Sequence, residues 1–263
     1  MKVSYFPGCT LKTRAKELDV WARKSAEALG VTLEEIDNWQ CCGGVFSTAR
    51  DEIASKLSSV RALSAANQKE QILVTACAAC HNVIKQTNHA MQTDPDFALR
   101  VNNYIAPDPA YHGETKVLFF LELLRDVVGF DKIREKVVKP LNGKKIAPYY
   151  GCLLLRPSKV MQMDDPENPQ ILEDFLRALG AEPVQYAQRN ECCGGYVALE
   201  DASVPKKRAA AIHRDAEAHG AEMIVTACPL CRYNLEKNGP EGELPVVYFT
   251  ELLAEALGLK EDA

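Results

Sequence analysis

The sequence of 263 residues shows no excess of basic charge, no signal-peptide pattern at its first residues and no long apolar run. Each absence removes a class of function. A net charge of −5 offers no general attraction to nucleic acid or anionic lipid, so nucleic acid is not expected as a partner. Met1-Lys2-Val3-Ser4-Tyr5-Phe6-Pro7 has neither the apolar stretch nor the small-residue cleavage site of a signal peptide. The most apolar segment, Val117-Leu118-Phe119-Phe120-Leu121, is stopped by Glu122. That is far short of the ~20 residues a membrane span needs. No transmembrane segment is expected, and the chain reads as cytoplasmic. With 47% apolar and 25% charged residues, it has the composition of a soluble globular protein.

What the chain has in quantity is cysteine, ten in all, and none falls outside one repeated pattern. Cys9, Cys41, Cys42, Cys77 and Cys80 form the first set; Cys152, Cys192, Cys193, Cys228 and Cys231 form the second. Each consists of a lone cysteine, an adjacent pair followed by two glycines (Gly43-Gly44, Gly194-Gly195), and a CxxC 33 residues after the CCG. In a reducing compartment such cysteines are metal ligands or redox groups before they are structural disulfides. Neighbouring cysteines are also poorly placed for ordinary disulfides.

The pattern of the chain around them predicts an α/β fold. Val3–Phe6 reads as a strand ending at Pro7-Gly8-Cys9, and Arg14–Leu29 as a helix stopped by Gly30. Val31–Ile36 is a second strand leading to Cys41-Cys42. Ala49–Glu70 is a helix, and Ile72-Leu73-Val74 a strand that opens into Cys77 and Cys80, where another helix begins. Each cysteine group therefore follows a strand and precedes a helix. Such loops converge at the carboxyl ends of a parallel sheet, so one site of five cysteines is expected per half. Residues 88–116, with Asp94-Pro95 and Pro107-Asp108-Pro109, read as an irregular excursion, and Lys116–Val128 as a helix.

The second half repeats the first: Tyr149-Tyr150-Gly151-Cys152 answers Phe6-Pro7-Gly8-Cys9, and Val225-Thr226-Ala227-Cys228 answers Val74-Thr75-Ala76-Cys77. The offset is 143 residues at the first cysteine and 151 at the CCG and CxxC. An eight-residue insertion therefore lies between Cys152 and Cys192, placed here at Asp164–Pro169. The expected architecture is a tandem pseudo-twofold repeat of two βαβ-type halves with small parallel sheets, 1–142 and 143–263, with Lys139–Gly143 as the boundary. The period is far too long for a solenoid.

Thiolates select zinc, copper(I) or iron–sulfur clusters. A CxxC alone could be a redox dithiol. Tetrahedral zinc and ordinary cubane clusters both take four ligands. A fifth sulfur, arriving as two consecutive cysteines, suits a larger or less symmetric centre. Gly43, Gly44, Gly194 and Gly195 would let the backbone approach it without a Cβ clash.

On these motifs the chain resembles the CCG-domain family, and in particular its B-type heterodisulfide reductase branch. The resemblance implies a noncubane [4Fe-4S] cluster on each set of five cysteines, while the thiolate chemistry keeps zinc in one site as an alternative occupant. It further implies a disulfide substrate held between facing clusters and cleaved by two one-electron transfers. The implied partners are a ferredoxin-like iron–sulfur protein and a flavin-containing protein of the same complex. Since the chain carries no flavin or nicotinamide fingerprint of its own, a complex of several subunits is expected. Related CCG proteins linked to quinone, in succinate or fumarate, lactate or glycolate oxidoreductases, give a second reading. A zinc-stabilised scaffold without redox activity gives a third.

His81, directly after Cys80, is a candidate proton or hydrogen-bond donor, weighed against a plain helix-face histidine. Lys12, Arg14 and Arg156 could meet an anionic substrate or simply sit solvated. Tyr5, Tyr149, Tyr150 and Tyr196 read as packing around the sites. Phe119–Val128 reads as core or as an interface with another protein of the complex, Asp201–Arg208 as surface, and Phe249–Leu259 as a docked terminal helix or membrane-facing surface.

Overall fold

Short runs rich in β-branched and aromatic residues, buried on both faces except in the edge strands Thr32–Glu35 and Glu182–Pro183, alternate with helices, and this pairing builds two parallel sheets. The computed structural model describes residues 1–44, 53–240, 242 and 244–260. In the first half β1 (Lys2–Tyr5) leads through α1 (Cys9–Thr13) and α2 (Lys16–Ala28) to β2 (Thr32–Glu35). Then follow α3 (Leu57–Gln68), β3 (Leu73–Thr75), α4 (Ala78–Thr93), α5 (Pro95–Ile105) and β4 (Val117–Phe119). The strand order is β2-β1-β3-β4, all parallel. After α6 (Phe120–Leu123), a π-turn over Leu124–Val128 and α7 (Phe130–Lys136), the second half repeats the scheme. There β5 (Lys145–Tyr149) is followed by α8 (Ser158–Met161), α9 (Ile171–Ala178) and β6 (Glu182–Pro183). The half ends with α10 (Ser203–Ala218), β7 (Met223–Thr226), α11 (Pro229–Asn238), β8 (Val246–Tyr248) and α12 (Phe249–Ala256). Its order, β6-β5-β7-β8, is the same.

In both sheets the chain steps outward from the first strand to the second, then returns to add the third on the other side. The crevice between β1 and β3, and between β5 and β7, is the switch point of such a sheet, where ligands bind beyond the carboxyl ends. Cys9 and Cys77 follow one such pair of strands; Cys152 and Cys228 follow the other.

Two expectations are corrected. Most of 88–116 is helical: α4 runs on to Thr93, and α5 occupies 95–105. Asp94-Pro95 is a helix start rather than a turn, because the Asp94 carboxylate accepts the Phe97 N–H at 3.0 Å and Pro95 takes the first helical position. Lys116–Val128 does not begin as a helix, since Val117–Phe119 pairs with β3. Glu122 Oε2 accepts the Phe119 N–H at 2.7 Å and starts α6 only there. Of the helix expected over Ala49–Glu70, residues 49–52 lie outside the described residues, 53–56 form turns, and α3 covers Leu57–Gln68. The added chain of the second half includes α8 as well as the Asp164–Pro169 loop.

The halves share one core. Phe249 at the head of α12 lies 5.9 Å from Phe119, 6.0 Å from Phe120 and 5.9 Å from Phe175, centroid to centroid. Phe119, Phe120, Leu121, Leu123 and Leu124 are fully buried, so this stripe is core. The apolar face of α12 packs on α2, with the Thr250 hydroxyl donating to the Leu18 carbonyl at 3.4 Å. The C-terminal helix is therefore docked inside the molecule.

Candidate paired five-cysteine site

In the first half the five thiols form a string. Cys9 Sγ is 3.5 Å from Cys41 Sγ, and Cys42 Sγ is 3.3 Å from Cys80 Sγ. Cys41 and Cys42, and Cys77 and Cys80, are close enough for their thiols to influence each other, which completes it. The second half repeats the string: Cys152 and Cys192 are 3.7 Å apart, and Cys192, Cys193, Cys231 and Cys228 are linked in turn. The structure thus brings together both predicted quintets.

The backbone supports these sulfurs. The N–H of each glycine in the two CCGG segments reaches the sulfur two residues earlier: Gly43 to Cys41, Gly44 to Cys42, Gly194 to Cys192 (3.3 Å) and Gly195 to Cys193. Gly43 and Gly194 hold φ at 77°, which glycine adopts without strain. Cys77 and Cys228 sit at the N-caps of α4 and α11, where helix dipoles favour negative sulfur. Their own N–H groups are anchored on the buried Thr75 and Thr226 hydroxyls.

Two residues missed by sequence reasoning approach the sulfurs more closely still. A Cβ placed on Gly8 would stand 2.6 Å from Cys80 Sγ, and one on Gly151 would stand 3.0 Å from Cys231 Sγ. Both glycines have positive φ, 77° and 64°. The available signal was a glycine directly before the lone cysteine of each set. Gly44 and Gly195 instead leave room for α4 (Ala79) and α11 (Leu230).

Protons are unevenly shared along each string. The hydrogen bond with Cys80 draws the Cys42 thiol down to about 7, whereas burial pushes Cys41 up to about 11. In the second half, hydrogen bonds from Cys152 and Cys193 draw Cys192 well down. Cys193, bonded to Cys192, is pushed up to about 12. Ligation of thiolates therefore releases protons from both strings.

The chemistry of the donor set fits a polynuclear iron–sulfur group. Five soft sulfurs are more donors than one tetrahedral ion uses.

The two strings lie near one another and are tied across the halves. Asn82, two residues after Cys80, donates to the carbonyls of Leu153 and Arg156, both at 2.7 Å, just beyond Cys152. Lys85 on the same helix donates to the Met161 carbonyl of α8. Tyr196 lies on the turn that follows Cys193-Gly194, and its hydroxyl donates to the Gly44 carbonyl at 2.8 Å. Its phenol feels Cys228 and Cys152 of one set and Cys77 and Cys42 of the other.

Other candidates are placed differently. His81 is fully buried, with Nε2 3.3 Å from Glu122 Oε2 and its ring against Phe119; burial, then Lys85, hold it neutral. Lys12 pairs with Glu35 at 2.7 Å and Arg156 with Glu167 at 3.1 Å, while Arg14 is exposed. Tyr5, Tyr149 and Tyr150 are buried packing, as expected; Tyr196, half-exposed between the sites, is not.

This arrangement is that of a cysteine-rich protein with two equivalent five-thiol sites. The chain belongs to the CCG cysteine-rich domain family, whose pattern matches residues 3–85 and again 146–236. It is similar to the membrane anchor protein of the 8-methylmenaquinol:fumarate reductase of Wolinella succinogenes, with 30% identity over 97% of this chain and 92% of that one. It is also similar to a protein of Archaeoglobus profundus that is like the B-type subunit of heterodisulfide reductase, with 28% identity over 98% and 91%. The B-type subunit of the ferredoxin:CoB-CoM heterodisulfide reductase of Methanosarcina mazei is 26% identical over 99% and 91%. Among solved structures, a hypothetical protein from Helicobacter pylori superposes with a TM-score of 0.77 at 11% identity. The match covers 99% of this chain and 49% of that one, and it shows the fold alone.

Proposed function

We propose that the chain is the iron–sulfur subunit of a heterodisulfide-reductase-type oxidoreductase complex. Cys9, Cys41, Cys42, Cys77 and Cys80 would hold one noncubane [4Fe-4S] cluster; Cys152, Cys192, Cys193, Cys228 and Cys231 would hold the other. The observation that carries this reading is the pair of five-sulfur strings joined across the halves by Asn82 and Tyr196. When bound, the clusters would supply single electrons and iron to which sulfur can bind. A disulfide reduced to two thiols takes two electrons and two protons, and two facing sites can provide the electrons one each.

The chain's own residues keep the sites in register. The CCGG amides hold the adjacent sulfurs, Gly8 and Gly151 leave room for Cys80 and Cys231, and Asn82 fixes the loop after Cys152. With no flavin or nicotinamide motif of its own, the chain takes electrons from partners, which by family resemblance are a ferredoxin-like protein and a flavoprotein. Relatives named as parts of such complexes support an assembly of several subunits.

A second reading is favoured by one observation, the 30% identity to the menaquinol:fumarate reductase anchor protein. It makes a quinone the electron partner. Among the described residues no helix is long and apolar enough to cross a membrane. The apolar face of α12, the sequence's candidate membrane surface, is buried on α2. Membrane association would therefore use another surface. To separate the readings, anaerobically purified, reduced protein is offered a panel of disulfides and a menaquinone analogue, with liposome flotation in parallel. Two thiols released per disulfide support the first reading. Oxidation by the quinone alone, with flotation, replaces it by the second.

A further inference from the structure

We propose that Tyr196 is a positioning residue that clamps the first CCG loop against the second and so sets the separation of the two cysteine sites. The proposal deepens the reading of the two strings as paired redox sites and rests on it for its purpose, though not for its geometry.

Tyr196 occupies the position directly after Cys192-Cys193-Gly194-Gly195, on a short 3-10 turn over Gly195–Val197. That turn is pinned underneath by Leu230, which sits 3.0 Å from where a Cβ on Gly195 would be. From there the phenol crosses to the other half and donates to the Gly44 carbonyl at 2.8 Å, a link between residues 152 positions apart. Gly44 is the last glycine of the first CCGG, and its N–H serves Cys42. One side chain thus holds the peptide that ends the first cysteine loop while rooted in the second. It stands within electrostatic reach of two sulfurs from each string.

The position matching Tyr196 in the first half is Val45, which has no hydroxyl, whereas Tyr196 stands half-exposed near sulfurs of both strings. The hydroxyl has already committed its proton to a backbone carbonyl, which makes it a fixed strut.

The test uses the full-length chain as Tyr196→Phe, which removes only the hydroxyl, and Tyr196→Ala, which removes the ring as well. In the reduced apoprotein, alkylation by iodoacetamide is followed cysteine by cysteine by peptide mapping. Loss of one hydrogen bond is expected to make Cys41 and Cys42 react about fivefold faster in Tyr196→Phe, with Cys152 and Cys228 unchanged. After iron and sulfide loading, the spin–spin interaction between the two reduced sites should weaken in both variants, more in Tyr196→Ala, at undiminished iron content. An unchanged alkylation pattern in Tyr196→Phe overturns the clamp. So does equal acceleration at all ten cysteines together with a lower melting temperature, which would mark a merely structural residue. Failure of the wild-type chain to take up iron and sulfide overturns the paired-site reading instead, and the alkylation arm is indifferent to that result.

Discussion

The two halves hold the same five sulfurs by different means. In the first half the tether is Glu35 at the end of β2. It accepts from Lys12 (2.7 Å), three residues after Cys9, from Arg23 (2.5 Å), and from Trp39 Nε1 (2.9 Å), two residues before Cys41. In the second half the tether is Glu173 on α9. It takes the Tyr150 hydroxyl, two residues before Cys152, and Arg189 (2.5 Å), three residues before Cys192. Each carboxylate therefore ties the loop of the lone cysteine to the loop of the adjacent pair. Glu35 does so at the surface, with about a third of its side chain exposed, whereas Glu173 is wholly buried.

The inserted chain of the second half adds to this difference. Arg189 also reaches Asn168, and Asn190 donates to the carbonyls of Pro166 and Glu167, so the insertion is bound to the segment that leads into Cys192. Cys152 and Cys192 are correspondingly half-buried, where Cys9 and Cys41 are exposed. Duplication fixed the sulfurs, and later change was free to rework the scaffold that carries them. The second site is braced and the first is open.

The largest effect expected from this contrast is in the tethers. Glu173→Ala leaves Arg189 buried without its partner and should cost about 3–5 kcal/mol, read from the shift of the denaturation midpoint. Glu35→Ala breaks partly exposed pairs and should cost about 1 kcal/mol. Equal losses would erase the comparison. Next come the glycines at the sulfurs. Gly8→Ala meets both left-handed strain and the Cys80 sulfur, and should cost about 2–5 kcal/mol. Gly151→Ala has the looser contact and should cost mainly the strain, about 1–2 kcal/mol. Each should lower iron uptake in its own half first.

The smallest effect is in pH. Burial works to raise the Glu35 carboxyl, but hydrogen bonds from Lys12 and Trp39 outweigh it and hold the group below its ordinary value. Its folded pKa being depressed, its contribution is present above the unfolded carboxylate value and is lost as pH falls through the folded one. Burial raises the Glu173 carboxyl instead, so it takes up its proton at higher pH and gives no such acid loss. In a Trp21→Phe background, Trp39 fluorescence should hold steady down to about pH 4.5 and change below it. A change near neutrality would contradict the Glu35 tether.

Much of this was legible in the residues. The duplicated spacings of ten cysteines needed no three-dimensional information, and strand-then-cysteine-then-helix placed them at the carboxyl ends of two parallel sheets. The misreadings are local. Asp94-Pro95 serves a turn and a helix start equally well, and Val117–Phe119 is too short a run for its strand character to outweigh the helical pattern after it. Glu35, Glu173 and Asn82 were invisible because most of their partners are distant in sequence and a single polar residue carries no period. Tyr196 was visible as a tyrosine after CCGG, but only the fold shows that its hydroxyl lands in the other half.

The most direct measurement is iron and acid-labile sulfide on the anaerobically purified chain, on Cys41→Ser/Cys42→Ser, and on Cys192→Ser/Cys193→Ser, each with its absorption spectrum. Two sites of the same kind predict about eight iron with matching sulfide in the brown wild-type protein, and about half of that in either double variant. A colourless chain holding zinc without sulfide, or a single double variant that loses all the iron, would contradict two equivalent facing sites.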